Sequence, residues 1–324
     1  MDFDGFDGHP YLKERFNYSS QAVALLRQSF DRKIAPLVQP SELSIVAVGS
    51  YGRYEVSCAS DMDFFILHEH GLSKSVLAQV LQLATEKMRA LSLPGESDKE
   101  KFSDAALVDR SRLSENIGGK RECSETLTRR MLLLLESCSL FGDACYGQTQ
   151  QTILSEYVPD KQGRGLARFM LNDLVRYHRT LMSNFEEKIV EGKAWGVRNI
   201  KLRFSRKLLF MGGIVLIAQS CGLPGEDKRH TIRQLTRYTP LQRLALLGQS
   251  NPHTSLVLEQ YSYFLRMISS PDNRQRLDRL QPAHAYREPL YRELKELGKA
   301  FSASLQQWLQ AQYPEHPIHN ALLF

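Results

Sequence analysis

A chain of 324 residues with 42% hydrophobic side chains exceeds the usual single-domain length and holds enough apolar material for one large or two moderate cores. Its longest greasy stretch, residues 208–218, falls short of the roughly 18 to 20 apolar residues of a membrane span, and the acidic start MDFDGFDGHP lacks both parts of a secretory signal. Five cysteines (Cys58, Cys123, Cys138, Cys145 and Cys221) without a Cys-x-x-Cys or a nearby Cys/His pair argue against disulfides and structural zinc, so the expectation is a cytoplasmic protein with no membrane partner. The net charge is +6 and uneven, with a dense succession of Arg and Lys over residues 161–243, which suits a phosphate-bearing partner or a solvated basic surface.

In chain order, Val23, Leu26, Phe30, Ile34 and Leu37 recur at steps of three and four, predicting an amphipathic helix over residues 19–37 that stops near Pro36. SIVAV, residues 44–48, reads as a buried strand delivering the chain into a turn at Gly49, and DMDFFIL, residues 61–67, as a second strand. Residues 72–91 are helical by period, and PGESDKEKFSD, residues 94–104, is a polar loop. LTRRMLLLLESCSLFGD, residues 127–143, is apolar on nearly all sides and predicts a helix wedged between layers, with Gly142 as its C-cap. Beyond Tyr146 strand signals stop, and helices are expected at about residues 165–189, 194–221, 231–247, 255–268 and 286–311. The expected architecture is α+β: a small mixed-sheet domain with flanking helices over residues 1–145, then an all-α helical bundle over residues 146–324.

The stretch VGSYGRYEVSCASDMDFF, residues 48–65, carries the chemistry. Side chains alternate along a strand, so Asp61 and Asp63 are expected to share a side with Met62 turned away. Paired carboxylates favour a cation between them, and a hard divalent ion prefers such oxygens together with substrate phosphates. Gly49 lets backbone approach a ligand, while Ser50 offers a hydroxyl and an amide at the start of a short helix. Gly52 keeps the turn open, and Arg53 offers a planar fork to phosphate oxygens. Phosphoryl and nucleotidyl transfer need this equipment, because the barrier lies in positioning a triphosphate and neutralising charge on the attacking and leaving oxygens.

These residues resemble the signature of the DNA polymerase β type nucleotidyltransferase superfamily, most of all the form found in the bacterial PII uridylyltransferase and glutamine synthetase adenylyltransferase. The resemblance covers residues 44–67 by motif; SETLTRRMLLLLESCSLFGD is similar to the helix that follows the catalytic sheet in the PII-modifying branch, and a helical bundle after it is also that family's habit. It implies that Asp61 and Asp63 bind catalytic Mg²⁺ (or Mn²⁺) and that Gly49 and Ser50, with Arg53 beside them, hold a nucleoside triphosphate such as ATP. The family also supplies a third carboxylate, for which Asp98, Asp104 and Asp109 are the candidates, Asp104 having the better context beside a short apolar run. The implied activity moves a nucleoside monophosphate onto a protein, small-molecule or nucleic-acid acceptor with release of pyrophosphate. The alternative is a catalytically impaired nucleotide-binding regulatory module.

In the second half, Asn172, Arg176 and Arg179 form a polar stripe on one helical face. Val197, Ile200, Phe204 and Leu208 form a core stripe flanked by Arg198, Lys201, Arg203, Arg206 and Lys207. Those cations suit a triphosphate, an acidic acceptor, a nucleic-acid backbone or plain solvent. Trp195, Tyr177 and His178 read as packing residues rather than a base-stacking platform.

Overall fold

Four short strands make one sheet in the order β3-β2-β1-β4. They are β1 Leu43–Val48, β2 Asp63–His68, β3 Leu107–Asp109 and β4 Ser137–Phe141. β1 runs antiparallel to β2 and to β4, and β2 runs parallel to β3, so the sheet is mixed. The computed structural model describes residues 3, 5–58, 60–89, 104–120, 122–161, 163–190 and 194–323.

Every residue of β1 is buried, as expected for an apolar, β-branched run covered on both faces. Leu43, Ile45 and Ala47 of β1, Phe64 and Ile66 of β2, and Cys138 and Leu140 of β4 join one core. α1 (Pro10–Ile34) supplies Val23, Leu26, Phe30 and Ile34 to that core, and α3 (Lys74–Arg89) supplies Leu77, Val80, Leu81, Ala84 and Met88. Strand alternation leaves Val46, Val48, Asp63, Phe65 and Leu67 on the other face, where α4 (Ser124–Leu135) places the Arg129 guanidinium 5.4 Å from the centre of the Phe65 ring. The antiparallel register runs from Leu43 against His68 to Val48 against Asp63. The turn after β1, a four-residue α2 (Gly49–Gly52), therefore sits at the same end of the sheet as the start of β2.

Three expected helices break. The helix expected over residues 127–143 is instead α4 followed by β4, with Glu136 between them at φ −144°, ψ 54°. Its run of leucines and small residues looks the same at period 2 or 3.6, so tertiary pairing with β1 decides the outcome. The helix expected over residues 194–221 divides into α7 (Trp195–Arg203) and α8 (Ser205–Gln219) at Phe204, whose ring stacks on Phe264 with centroids 4.4 Å apart. The one expected over residues 231–247 divides into α9 (Gly225–Thr236) and α10 (Pro240–Leu247). There Thr239 and Gln242 form a reciprocal capping box with Pro240 at the first helical position.

The chain splits into two units, residues 15–161 and residues 1–14 with 162–324. The division after Lys161 lies sixteen residues beyond position 145, because α5 (Asp143–Tyr157) belongs with the sheet. Cys145 donates its N–H to the Pro40 carbonyl at 3.2 Å, and Gln150 donates to the Leu133 carbonyl at 2.9 Å. The second unit adds α6 (Arg168–Val190), α11 (Thr254–Ser269), α12 (Pro271–Asp278), α13 (Pro289–Gln312) and α14 (Pro317–Leu323) to α7–α10. Its described residues contain no strand. The fold is α+β, and no helix among the described residues is long and apolar enough to cross a membrane.

Candidate functional site

β1 ends at Val48, and the chain turns at Gly49 with φ +66°, a conformation that disfavours any side chain. A Cβ at this position would also come within 3.2 Å of Asp63 Oδ2. Ser50 is half-buried, and its carbonyl accepts the Glu55 N–H at 2.8 Å. On the other flank of the turn, Gly52 presses against the chain entering β4, where a Cβ would meet the Glu136 carbonyl oxygen at 2.2 Å. The turn is thus seated between Asp63 and the α4–β4 junction, and glycine at both contacts is a steric requirement.

Asp63 opens β2 and is half-buried, fixed by its backbone pairing with Val48. Asp61 is exposed and precedes the strand, whereas the sequence pattern placed both acids inside it. Met62 between them is 3% exposed and belongs to the core under α1 and α3.

The parallel pairing of β2 with β3 separates the candidates for a third acid. Asp109 pairs with His68, five residues along β2 from Asp63, about 16 Å at ordinary strand rise. It is already engaged there: its carboxylate accepts Ser111 N–H at 3.0 Å, Ser111 Oγ at 2.8 Å and faces His70 Nδ1 at 2.8 Å. Burial favours its protonated form, but those hydrogen bonds outweigh burial and hold its carboxyl below the usual value. Asp104 opens the turn that leads into β3. Leu107, three residues on, pairs with Ile66, itself three residues beyond Asp63, so the Asp104 backbone enters from the Asp63 end of the sheet. Asp98 lies outside the described residues.

Arg53, expected beside phosphate, is occupied differently. Its Nε donates to Glu55 Oε2 at 2.7 Å and its Nη1 to Glu136 Oε2, with side-chain exposures of 8%, 7% and 1% for Arg53, Glu55 and Glu136. The guanidinium therefore ties the segment after the Gly49 turn to the residue that separates α4 from β4. Neither glutamate was singled out from the sequence. A lone acid inside LLLLESCSLF is the signal that was there to be used, since a charge in an apolar run is buried only with a partner. The next residues are also anchored: Val56 N–H donates to Ser19 Oγ of α1 at 2.8 Å, and the Tyr54 ring packs 5.4 Å from Phe16. Beneath the turn, burial pushes the Cys138 thiol up to about 12, which keeps it neutral.

Among the described residues no group of three His, Cys, Asp or Glu side chains is arranged to hold a metal ion. The donors nearest the turn are carboxylates, the chemistry of a hard cation that completes its shell from phosphate and water oxygens. No protein-family model matches this chain, and a search of curated proteins finds no relative.

Proposed function

We propose that residues 15–161 carry a metal-dependent nucleotidyltransferase site, which transfers a nucleoside monophosphate from a nucleoside triphosphate to an acceptor and releases pyrophosphate. The observation that carries this reading is the meeting of a glycine-opened turn with a carboxylate: Gly49 has φ +66°, and a Cβ on it would lie 3.2 Å from Asp63 Oδ2. Backbone can approach a polyphosphate there, with the Ser50 hydroxyl and amide as donors and no Cβ in the way. Asp61 and Asp63 would hold Mg²⁺ or Mn²⁺, which when bound neutralises charge on the triphosphate. Arg53, through Glu55 and Glu136, keeps the turn at its distance from β2 and is a positioning residue. Asp104, entering from the same end of the sheet, is the candidate to orient the acceptor.

The test is to incubate the full chain with each labelled nucleoside triphosphate, Mg²⁺ or Mn²⁺, and cell extract. Label should appear on an acceptor with matching pyrophosphate, and Asp63→Ala should abolish both; undiminished labelling by that variant would refute the site. A second reading, a nucleotide-binding module without turnover, is favoured by the lack of a three-acid cluster among the described residues. Calorimetric nucleotide binding without pyrophosphate release would select it.

A further inference from the structure

The proposed nucleotidyltransferase site lies within residues 15–161, yet the densest run of Lys and Arg lies beyond it. Residues 161–243 hold 17 Lys and Arg against 6 Asp and Glu. Some of these cations have ordinary structural partners: Arg176 pairs with Asp173 at 2.6 Å, Lys228 donates to the Gly165 carbonyl, and Arg243 Nε donates to the Leu235 carbonyl at 2.9 Å.

Three neighbouring groups are placed differently. Lys207 of α8 is half-buried, and its ammonium donates to the hydroxyl of Ser302 on α13. Arg203 ends α7, and its Nε donates to Asn199 Oδ1 at 3.1 Å, an oxygen that also accepts the Tyr291 hydroxyl at 3.1 Å. His178 of α6 lies flat on Phe210 of α8, with ring centroids 4.4 Å apart and planes 22° apart. Its Nδ1 is buried with no hydrogen-bond partner. A bare lone pair is cheaper to bury than an unmet N–H, so the ring proton belongs on Nε2, which becomes a donor.

These groups crowd one another. After burial, Lys207 is the next influence lowering the His178 pKa, and Arg203 plays the same part for Lys207. Glu296, a carboxylate that senses Arg203, is itself bonded to Lys299 at 2.8 Å. Hydroxyl and amide oxygens thus stand where partly desolvated cations ordinarily have carboxylates. Among the described residues no ion pair supplies these three groups with an anion, the partner that suits such a cluster.

We propose that His178, Arg203 and Lys207 form a second binding site, independent of the nucleotidyltransferase reading, for a small ligand carrying a phosphate group. A guanidinium, an ammonium and an imidazole N–H suit the three terminal oxygens of a phosphomonoester better than the two of a carboxylate. Phosphate on a nucleic-acid backbone presents the same chemistry, but it calls for a run of exposed cations along a groove, whereas these three are half-buried: Arg203 and Lys207 meet α13 one turn apart, at Gly298 and Ser302, and His178 lies on Phe210, three residues beyond Lys207.

The test uses the full chain in EDTA, titrated with inorganic phosphate and with phenyl phosphate, and read by ³¹P NMR and calorimetry. Saturable binding is expected, weakened about tenfold or more in both Lys207→Met and His178→Phe, the second of which keeps a ring on Phe210. No saturable binding by the wild type, or undiminished binding by both helical-unit variants, would overturn the proposal. So would a loss confined to Ser50→Ala, which would put the phosphate at the Gly49 turn. A single-stranded oligonucleotide that displaces phenyl phosphate at far lower concentration would overturn the small-ligand assignment.

Discussion

Among the described residues of 15–161 the two buried arginines end on carboxylates, Arg53 on Glu55 and Glu136 and Arg130 on Glu122. In the helical unit, by contrast, buried Lys228 ends on the Gly165 carbonyl and half-buried Lys207 on the Ser302 hydroxyl. A cation held by carboxylates is structural in a strong sense, because its loss strands buried anions. A cation held by a neutral oxygen strands nothing charged when it is removed, and its own charge is left for what arrives. The sheet unit uses charge to hold a turn in place; the helical unit, beside ion pairs such as Arg176–Asp173, holds Lys207 and Lys228 by neutral oxygens.

The largest expected effect lies in the first kind. Arg53→Met should lower unfolding stability by about 3–5 kcal/mol in urea titrations, and Arg53→Lys should recover only part of it, since a point charge cannot serve two carboxylates in a fork. Lys207→Met should stay within about 1 kcal/mol of the wild type. Equal losses in the two variants would erase the contrast between the units.

Next in size is the steric seat of the turn. Gly52→Ala drives a Cβ to 2.2 Å from the Glu136 carbonyl and should cost about 1–3 kcal/mol. Gly163→Ala, where nothing lies within 4 Å of the added atom, should change stability by no more than about 0.5 kcal/mol. Matching melting curves for the two would mean that the α4–β4 junction does not confine the turn.

A smaller effect separates the two ends of the sheet. Asp109 is held below the usual carboxylate value by bonds from His70 and Ser111 that outweigh its burial. The stability this adds is present above the ordinary Asp pKa and is lost as pH falls through the lower folded value. Asp109→Ala should be less stable than the wild type by about 1 kcal/mol or less at neutral pH, and level with it in strong acid. A gap that persists in strong acid would show that the loss is packing rather than charge.

The smallest effect concerns thiols. Cys138 is buried with its thiol held near 12, whereas Cys123 is exposed and hydrogen bonds from Thr126 lower its thiol from the usual value. An alkylating reagent with mass-spectrometric readout at mildly alkaline pH should modify Cys123 first and leave Cys138 untouched in the folded chain. Early modification of Cys138 would mean that the core under the turn opens readily.

Much of this arrangement was readable in the residues. SIVAV running into Gly49, with FFIL behind Asp63, marks two strands within a residue or two because β-branched and aromatic runs bounded by turn residues have few alternatives. What could not be read depends on contacts distant in sequence. The strand 137–141 hides in a leucine-rich run, and the break at Phe204 falls where its ring stacks on Phe264. Arg53 looked like a phosphate ligand because its partners sit 2 and 83 residues away. Asp104 already had the better sequence context; that Asp109 lies five residues along the sheet from Asp63 follows only from the parallel register of a three-residue strand, which no local pattern encodes.

The most direct test of the central claim compares pyrophosphate release by the wild type, Asp63→Asn and Asp109→Asn, side by side with Mg²⁺ and the nucleoside triphosphate that supports labelling. The account predicts turnover in the wild type, none above background in Asp63→Asn, and near-wild-type turnover in Asp109→Asn. Turnover that survives in Asp63→Asn, or that vanishes in Asp109→Asn while Asp63→Asn retains it, would contradict the account.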